Sequence, residues 1–360
     1  MRVAFRVDAA PWIGTGHVMR CLSLANRMRE SGWEVRFISR HIPVPLADRV
    51  RSSGVALTLL PPFEGGEWAR PDNGYASWLR APKLRDATDT IDTLVGKSWD
   101  WIVVDHYSLD EAWEEQVGKV TRARVLAIDD LANRRHAAAV LLDQNLIVNS
   151  AERYAKLLRD GTVALLGPQY ALLSAEFVKI RAEMAPRDGS VENVMVMFGG
   201  ADDTNATADA VEALGRLKKE VRVVVVVGAA YAHLTDLKTR CEDLGFELHY
   251  DSSNVAQLMQ HADFSVGAAG STSWERCCLG VPAVCVPCAE NQHPIAAGLR
   301  WAGTAVVASR DDLKDSDGFA SLLDGLFIND VELRSLSNRA RALVDGQGTT
   351  RVLHIMETAL

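Results

Sequence analysis

A histidine follows a glycine-rich turn near the start of the chain, in the stretch RVDAAPWIGTGHVMR that covers residues 6 to 20. Gly14 and Gly16 let the backbone turn sharply and approach a ligand closely. His17 comes next, where an apolar strand pattern gives way to a helical one. Imidazole exchanges a proton near neutral pH, so a histidine at this turn can act as a general base. A packed or helix-capping histidine is the alternative, and the position of His17 favours the catalytic interpretation.

This turn does not fit the dinucleotide-binding fingerprint G-x-G-x-x-G. Met19 stands where the third glycine belongs, and the second strand ends in FISR, without an acidic residue for a ribose. A nicotinamide or flavin enzyme is therefore disfavoured, and we predict no cofactor.

Two further loops of the first half follow apolar strands. In DHYSLD, Asp105 and Tyr107 are expected at the carboxyl edge of the sheet, where Tyr107 could pack on a sugar ring or hydrogen-bond to it. The alternative is a strand-end aspartate that caps the next helix. In IDDLANRR, the pair Asp129 and Asp130 lacks a recognised spacing of metal ligands, so we interpret it as a turn and predict no metal site.

The second half repeats the pattern of a strand, a glycine turn and a helix. Gly199 and Gly200 in FGGADDTNAT form a backbone concavity that could accept a phosphate, or a plain tight turn. Both interpretations remain open from the residues alone.

The richest segment is GAAGSTSWERCCLGVPAVCVPCAENQ, residues 267 to 292. Gly270 leads into Ser271 and Thr272 at a helix start, where amide groups, hydroxyls and the helix dipole could hold a diphosphate. Glu275 could bind ribose hydroxyls, or it could complete a capping box. The next loop offers the side-chain amides of Asn291 and Gln292. The CxxC pair in between lacks further ligands, and we interpret it as packing.

The elements that must position these residues form an alternating α/β pattern. Short, continuous, β-branched runs are typical of parallel strands covered on both faces, and the intervening segments fit crossover helices. The runs lie at residues 3–7, 34–39, 101–105, 125–129 and 163–166, then at 194–198, 221–227, 247–250, 264–266, 283–286 and 305–307. The helix after His17 is expected to bury Val18, Cys21, Leu22, Ala25 and Met28.

The predicted fold class is therefore α/β, with two Rossmann-like doubly wound domains that face a cleft. The first is predicted at residues 1–180 and the second at 190–345, joined by a turn-rich link within 181–194, and a C-terminal helix follows at 346–360. Residues 61–78 are rich in glycine and proline and are expected to form a loop beside the cleft or a lid.

Composition narrows the functional classes. The 360 residues are 48% hydrophobic and 24% charged, with a net charge of −8, as in an ordinary globular protein. The absence of a long basic run argues against a nucleic-acid partner. The sequence shows no signal peptide and no run that could span a bilayer, so a cytoplasmic location without membrane insertion is expected. The six cysteines follow no disulfide framework and are expected to be reduced.

These motifs together resemble a known family. FRVDAAPWIGTGHVMRCLSLA, DHY, IDDLANR, DQN, GPQYALL, FGGAD, GSTSWERCCLG and AENQ occur over nearly the full length, in the order found in the UDP-2,4-diacetamido-2,4,6-trideoxy-β-L-altropyranose hydrolases of pseudaminic acid biosynthesis. That family has the glycosyltransferase B fold and is related to the N-acetylglucosaminyltransferase of peptidoglycan synthesis. This sequence departs from the family at Ala269, where a glycine is usual.

The resemblance implies a metal-independent, inverting hydrolase in which His17 is the general base and UDP binds the loop from Gly270 to Glu275. It implies that Tyr107 and Asn291 touch the sugar or the catalytic water, and that a UDP-linked amino sugar is the partner of a monomeric enzyme. The full set of expected substrate contacts is Gly14, Gly16, Arg20, Tyr107, Gly199, Gly200, Gly270, Ser271, Thr272, Glu275, Asn291 and Gln292.

Three alternatives remain at this point. The first is a glycosyltransferase of the same fold, which would pass the sugar to an acceptor. The second is a nucleotide-sugar binding protein without catalysis. The third is a related enzyme of spore or surface polysaccharides that takes a different nucleotide-linked sugar.

Overall fold

The structure is a computed structural model that describes residues 1–63 and 71–359. The chain divides into two compact units. Unit 1 comprises Met1–Asn145, Asn149–Leu172 and Gly348–Leu360, and unit 2 comprises Leu146–Val148 and Leu173–Gln347. Residues 64–70 of the predicted loop at 61–78 lie outside the described residues, and its described end continues into a 3-10 helix at Pro71–Leu79.

The strands of unit 1 are β1 (Arg2–Val7), β2 (Glu34–Ser39), β3 (Ala56–Leu59), β4 (Trp101–Asp105), β5 (Arg124–Ile128), β6 (Val140–Asp143) and β7 (Val163–Leu166). In the described part of unit 1 they form one parallel sheet with the order β3-β2-β1-β4-β5-β6-β7. The central strand β4 is buried throughout, as its continuous apolar sequence predicts.

The helices of unit 1 before the chain crosses to unit 2 are α1 (Gly16–Glu30), α2 (Val44–Ser52), α3 (Lys83–Leu94), α4 (Glu111–Thr121) and α5 (Ser150–Tyr154), and a second 3-10 helix spans Pro168–Tyr170. The buried face of α1 includes all the residues predicted for it: Val18, Cys21, Leu22, Ala25 and Met28. This face packs into the same apolar core as β1, which fixes the first turn of α1 beside the end of the sheet.

The strands of unit 2 are β8 (Asn193–Met197), β9 (Arg222–Val227), β10 (Glu247–Tyr250), β11 (Phe264–Ala268), β12 (Ala283–Val286) and β13 (Val306–Val307). Over the described residues of this unit they form a parallel sheet ordered β10-β9-β8-β11-β12-β13. Both sheets thus change direction beside their first strand, which is the Rossmann-like arrangement. The predicted α/β fold class with two such domains is confirmed.

The helices of unit 2 are α6 (Ala175–Glu183), α7 (Ala206–Leu214), α8 (Leu234–Leu244), α9 (Val255–His261), α10 (Thr272–Leu279), α11 (His293–Trp301), α12 (Arg310–Lys314), α13 (Ser316–Phe327) and α14 (Asp330–Leu343), with a 3-10 helix at Glu290–Gln292. In parallel α/β sheets, ligands bind where strands end and helices begin, so the loops that follow β8, β11 and β12 are the candidate ligand-binding loops of this unit.

The chain passes from one unit to the other at positions that differ from the predicted link. The main segment of unit 2 begins at Leu173, so α6 belongs to this unit, and residues 181–194 lie within it. The reason is local: Arg181 of α6 donates hydrogen bonds to the carbonyl oxygens of Cys278, Arg341 and Val344. These bonds satisfy carbonyl groups that the ends of α10 and α14 leave without helical partners.

The last helix, α15 (Gly348–Thr358), returns to unit 1. Its residues Val352, Leu353 and Met356 join the apolar core beside α1. Gly348 begins this helix, and a Cβ there would lie 2.1 Å from the carbonyl oxygen of Ala171, so only glycine fits.

Throughout the described ranges, none of the helices has the length and apolar character that crossing a membrane requires.

Candidate active site

His17 lies on the first turn of α1 and is bound to the last residue of β4. Its Nδ1 is 2.6 Å from Oδ1 of Asp105, and His17 is only 8% exposed. Gly14 makes the preceding turn possible, because its φ of +85° lies in the left-handed region. An ionised carboxylate accepts a hydrogen bond, so Nδ1 donates to Asp105 and Nε2 is left as the basic nitrogen. This is the tautomer that a general base requires.

Asp105 is held in its ionised form by cations. Arg20 donates from both Nε and Nη2 to its two oxygens, at 2.7 Å each. Burial alone would raise the pKa of Asp105, but Arg20 and His17 hold it well below its usual range. Asp105 therefore orients the imidazole of His17. The alternative drawn from the sequence, an aspartate that caps the next helix, is wrong, because α4 begins at Glu111 after Asp110.

Arg20 was predicted to contact the substrate, but in the structure it is buried and bound to other side chains of unit 1. It is 7% exposed, and its remaining arm, Nη1, lies 2.9 Å from Asp130. The guanidinium of Arg20 thus connects Asp105, at the end of β4, with Asp130, in the loop after β5. Arg20 shapes the site from inside unit 1.

Tyr107 packs against the histidine. The ring centroids of Tyr107 and His17 are 4.7 Å apart, at an interplanar angle of 80°. The hydroxyl of Tyr107 donates to Asp130, and burial together with that carboxylate raises the pKa of Tyr107 well above its usual value. Tyr107 is therefore a neutral phenol whose ring supports the imidazole.

Two aromatic residues at this site have no counterpart in the sequence prediction. Trp78 stacks on Tyr107 at 5.1 Å and meets the His17 ring edge-on at 5.8 Å, and Tyr75 packs on both Trp78 and Tyr107. Both come from the 3-10 helix at 71–79, whose sequence has no helical or strand periodicity that would single them out.

In unit 2, no side chain among the described residues caps the start of α10. Ser271 precedes the helix and is exposed, and its side chain caps no amide group. The capping box of Ser271 or Thr272 with Glu275 is therefore absent. The first amide groups of a helix carry partial positive charge and lack helical partners. Together with two hydroxyls they can bind the oxygens of a phosphate.

Glu275 lies one turn into α10. Its side chain is half-buried, and no hydrogen bond or ion pair to it is found within residues 1–63 and 71–359. Burial raises the pKa of Glu275 to about 7, and the neighbouring Arg276 only partly offsets this rise. A carboxyl group in this position can accept hydrogen bonds from ligand hydroxyls, which would replace the water lost on burial.

The loop after β12 approaches the start of α10. Gln292 accepts a hydrogen bond from the amide of Cys288 at 2.9 Å, which fixes its side chain. Its Nε2 lies 3.6 Å from the position that a Cβ would take on Gly270. Gln292 can therefore donate toward a ligand at this helix start. Asn291 is half-buried on the same 3-10 helix.

The loop after β8 gives a different result for Gly199 and Gly200. Gly199 has a φ of +99°, and a Cβ on Gly228 would come within 2.5 Å of the Gly200 oxygen, so two loops meet closely here. The carboxylate of Asp202 accepts from the amides of Ala206 and Thr207. It occupies the start of α7, where a phosphate would otherwise sit, which favours the tight-turn interpretation.

Sequence reasoning did not find a pocket of about 650 Å³ that follows β12 and β13 in unit 2. It is lined by Pro287, Cys288, Ala289, Glu290, His293, Ala296, Ala297, Arg300, Val307, Ala308, Ser309 and Arg310. These residues come from three separate segments, and no motif connects them in the sequence.

No cluster of three or more histidine, cysteine, aspartate or glutamate side chains that could hold a metal ion occurs among the residues the structure describes. All six cysteines are free thiols.

Sequence comparison connects unit 2 with a known domain. Residues 193–326, from the start of β8 nearly to the end of α13, match the glycosyltransferase family 28 C-terminal domain. The matched region contains the start of α10 and the residues Glu275, Asn291 and Gln292.

Three curated proteins are similar over longer stretches. An uncharacterized protein of Methanocaldococcus jannaschii is 24% identical over 79% of this chain and 55% of its own length. The spore coat polysaccharide biosynthesis protein SpsG of Bacillus subtilis is 25% identical over 53% of this chain and 57% of its own. The chain thus spans little more than half the length of these two relatives. The UDP-2,4-diacetamido-2,4,6-trideoxy-β-L-altropyranose hydrolase of Campylobacter jejuni is 22% identical over 85% of this chain and 98% of its own.

Solved structures share the fold at low identity. The calicheamicin glycosyltransferase CalG4 superposes with a TM-score of 0.66 at 15% identity, covering 100% of this chain and 98% of its own. MurG of Acinetobacter baumannii gives a TM-score of 0.62 at 15% identity, with 99% of both chains covered. A protein of Anabaena in complex with UDP gives 0.58 at 12% identity, over 99% of this chain and 100% of its own.

The fold and the comparisons define a class. The chain has the glycosyltransferase B fold, and its second unit matches a glycosyltransferase C-terminal domain.

Proposed function

We propose that this protein hydrolyses a UDP-linked sugar, with His17 as the general base. The observation that carries the proposal is the pairing of His17 with Asp105, which leaves Nε2 free to take a proton. Water gives this proton to Nε2 while its oxygen attacks the anomeric carbon. The bond to the UDP oxygen breaks, and UDP leaves with the electron pair. Because the water attacks the face opposite UDP, the anomeric configuration inverts.

The nucleotide end of the substrate belongs to unit 2 in this proposal. Ser271, Thr272 and the helix start of α10 stabilise the diphosphate and the charge that develops as UDP departs. Glu275 accepts hydrogen bonds from the ribose, which accounts for a half-buried carboxyl that has no partner in the described part of the chain. Gln292 donates toward the diphosphate or the sugar, and Asn291 contributes the second amide of that loop.

The proposal also covers the identity of the sugar. The similarity to the hydrolase of Campylobacter jejuni supports a UDP-linked diacetamido-trideoxyhexose, and so a step of pseudaminic acid biosynthesis. The similarity to the spore coat polysaccharide protein of Bacillus subtilis supports a different nucleotide-linked sugar as the alternative substrate of the same reaction.

A glycosyltransferase is the second candidate. The match of residues 193–326 to a glycosyltransferase domain favours it, since a nucleotide-binding half of this kind serves transfer as well as hydrolysis. The two candidates share the base and the nucleotide site. They differ in whether water or the hydroxyl of an acceptor gives up its proton to His17.

Replacing the base tests the proposal. We expect His17→Ala to lower kcat by ~10²–10⁴-fold, the usual contribution of a general base. UDP affinity, measured by calorimetry, should stay near the wild-type value, because His17 does not belong to unit 2. His354→Ala, at an exposed position of α15, is the matched control and should leave both quantities unchanged. A fully active His17→Ala variant would contradict the assignment.

A further inference from the structure

Asp130 joins the groups that surround the proposed base, although the sequence singled it out only as part of a turn. Its side chain is 9% exposed, and it accepts hydrogen bonds from three sides. Arg20 donates from Nη1, the Tyr107 hydroxyl donates from the ring that packs on His17, and Asn145 donates from Nδ2 at 2.7 Å. A carboxylate with three donors keeps its negative charge.

The charges of this cluster do not cancel while His17 is neutral. Asp105 and Asp130 each carry a negative charge, and Arg20, which lies between them, carries a single positive charge. The cluster therefore has a net charge of minus one. A proton on His17 would bring it to neutrality. Without Asp130, the resting cluster would be neutral, and the same proton would leave an uncompensated positive charge in a buried site.

We propose that Asp130 is a positioning residue that supplies, through Arg20 and Tyr107, the negative charge that lets His17 accept a proton. This inference rests on the proposed function for its catalytic meaning. The predicted effect of the Asp130 charge on proton binding by His17 does not depend on which substrate the protein takes. Asp130 also holds the Tyr107 ring against the imidazole, so the charge and the geometry act on the same base.

The other carboxyl groups near Asp130 face cations of their own, and Asp143 lies 3.8 Å from Nη1 of Arg153. Asp143 lies on the far side of Asn145, which donates to it at 3.0 Å, and burial with the charge of Asp130 raises the pKa of Asp143 to about 7. Tyr154 donates to both Asp143 and Asp129.

Asp129 faces its own cation, because Arg134 lies 2.6 Å from it. On the α1 side, the Cys21 thiol donates to Asp105, and burial raises the pKa of Cys21 well above its usual value, so this group stays neutral. Among the described residues, Arg20 therefore faces two carboxylates, Asp105 and Asp130. Asp130 is the second of them, and it gives the cluster its net charge of minus one.

The test is a titration of the His17 ring, which does not depend on activity. Protein with ¹³C- and ¹⁵N-labelled histidine is followed by NMR from about pH 5 to 9, in the wild type and in Asp130→Asn. We expect the midpoint of the His17 titration to fall by about half to one pH unit in the variant, because a nearby negative charge is lost. If the protein hydrolyses the UDP-sugar, kcat should fall ~10-fold and the acidic limb of its pH profile should move with the midpoint.

Two control variants separate charge from other effects. Asp160→Asn removes an exposed negative charge from the same unit and should leave the midpoint unchanged. Tyr107→Phe removes the hydrogen bond to Asp130 but keeps the ring and all charges, and it should shift the midpoint much less than Asp130→Asn. Equal shifts in these two variants, or no shift in Asp130→Asn, would overturn the inference.

If the Asp130→Asn variant does not fold, a measurement on the wild-type protein tests the same inference. In the wild-type protein, the ¹³C signal of the Asp130 carboxyl should keep its ionised position over the whole range in which His17 titrates. A carboxyl that takes up its proton while His17 is still neutral overturns the inference. A wild-type protein that releases no UDP from any donor contradicts the proposed function instead, and it leaves the titration result readable.

Discussion

In the proposed mechanism the His17 imidazole can act as a base only in one tautomer, and that tautomer depends on Asp105. The carboxylate accepts from Nδ1, and Arg20 in turn fixes the carboxylate through two hydrogen bonds. Removing the charge of Asp105 while keeping its shape should therefore remove the preference for this tautomer.

Asp105→Asn tests this dependence. An asparagine can donate to Nδ1 as well as accept from it, so the required tautomer loses its preference, and we expect kcat to fall ~10²–10⁴-fold. Asp110→Asn is a suitable control, because Asp110 lies in the same loop but pairs with Lys83 at the surface. UDP release under saturating substrate measures both. An Asp105→Asn variant with wild-type kcat would show that His17 does not need this carboxylate.

Glu275 should give the proposed nucleotide site a dependence on pH. Burial raises its pKa to about 7, so the carboxyl is mostly ionised above pH 7 and mostly protonated below it. An ionised carboxylate accepts stronger hydrogen bonds from hydroxyl groups than a protonated one. We expect Glu275→Gln to weaken UDP binding ~10-fold at pH 8 and much less at pH 6.

Calorimetry of UDP binding to the wild type and to Glu275→Gln at both pH values provides the comparison. The ratio of the two Kd values cancels the titration of UDP itself. Glu290→Gln, at an exposed position near the same site, serves as the control. A ratio that does not change with pH would contradict the ribose contact.

At the residue scale, the sequence identified the groups that lie on glycine turns. His17 and Glu275 stand out because each follows a glycine between a strand and a helix. The charged groups around His17 were harder to predict, since Asp105 and Arg20 come from different elements and Asp130 reaches the cluster only through Arg20 and Tyr107. Arg20 looks like an available cation in the sequence. Only the folded sheet shows that two buried carboxylates already bind it.

At the scale of elements, apolar runs predicted eleven of the strands closely, and two were not found. β3 has exposed or half-buried residues at every position, so its sequence lacks the apolar signal of a covered strand. β6 is fully buried, but its four residues follow directly on an alanine-rich stretch with no turn signal. The helix start of α10 was predicted from GSTSWE because glycine and two hydroxyl residues precede an apolar helix face.

The loop after β5 contains a buried charged histidine that ties it to α4. Burial alone would lower the pKa of His136, but Asp129 and Glu114 raise it to about 9, against 6.5 for an ordinary histidine. The folded protein thus binds this proton more tightly than the unfolded chain. The resulting stabilisation is complete below pH 6.5 and is lost as the pH rises through 9.

We expect the free energy of unfolding to fall by about 3 kcal/mol between pH 6 and 9.5 because of this histidine. Urea denaturation at several pH values measures the change. His136→Gln should be less stable at pH 6 and show a much smaller decrease with pH. His354→Gln, at an exposed site, should follow the wild type. A wild-type stability that rises through this range would contradict the assigned charge.

At the scale of the whole molecule, the sequence predicted two Rossmann-like units but not where the chain passes from one to the other. The turn-rich residues around Gly189 resemble a linker, yet Arg181 already binds carbonyl groups of unit 2 before that point. Composition marks flexible turns, whereas domain membership depends on contacts between residues far apart in the chain. The return of α15 to unit 1 depends on contacts of the same kind.

The proposal assigns a separate task to each unit. Unit 1 contains the base with its carboxylates and aromatic residues, and unit 2 contains the helix start, Glu275 and Gln292 for the nucleotide. A transferase would need both sets as well. Activity without any acceptor is therefore the property that separates hydrolysis from transfer.

The most direct test is to incubate the purified protein with a UDP-linked diacetamido-trideoxyhexose, without an acceptor, and to follow UDP release and the anomeric proton signals by NMR. We predict one UDP for each free sugar, a first-formed sugar of inverted anomeric configuration, and loss of both signals in His17→Ala. Tight UDP binding with an intact UDP-sugar after prolonged incubation would contradict hydrolysis and favour a transferase or a different sugar.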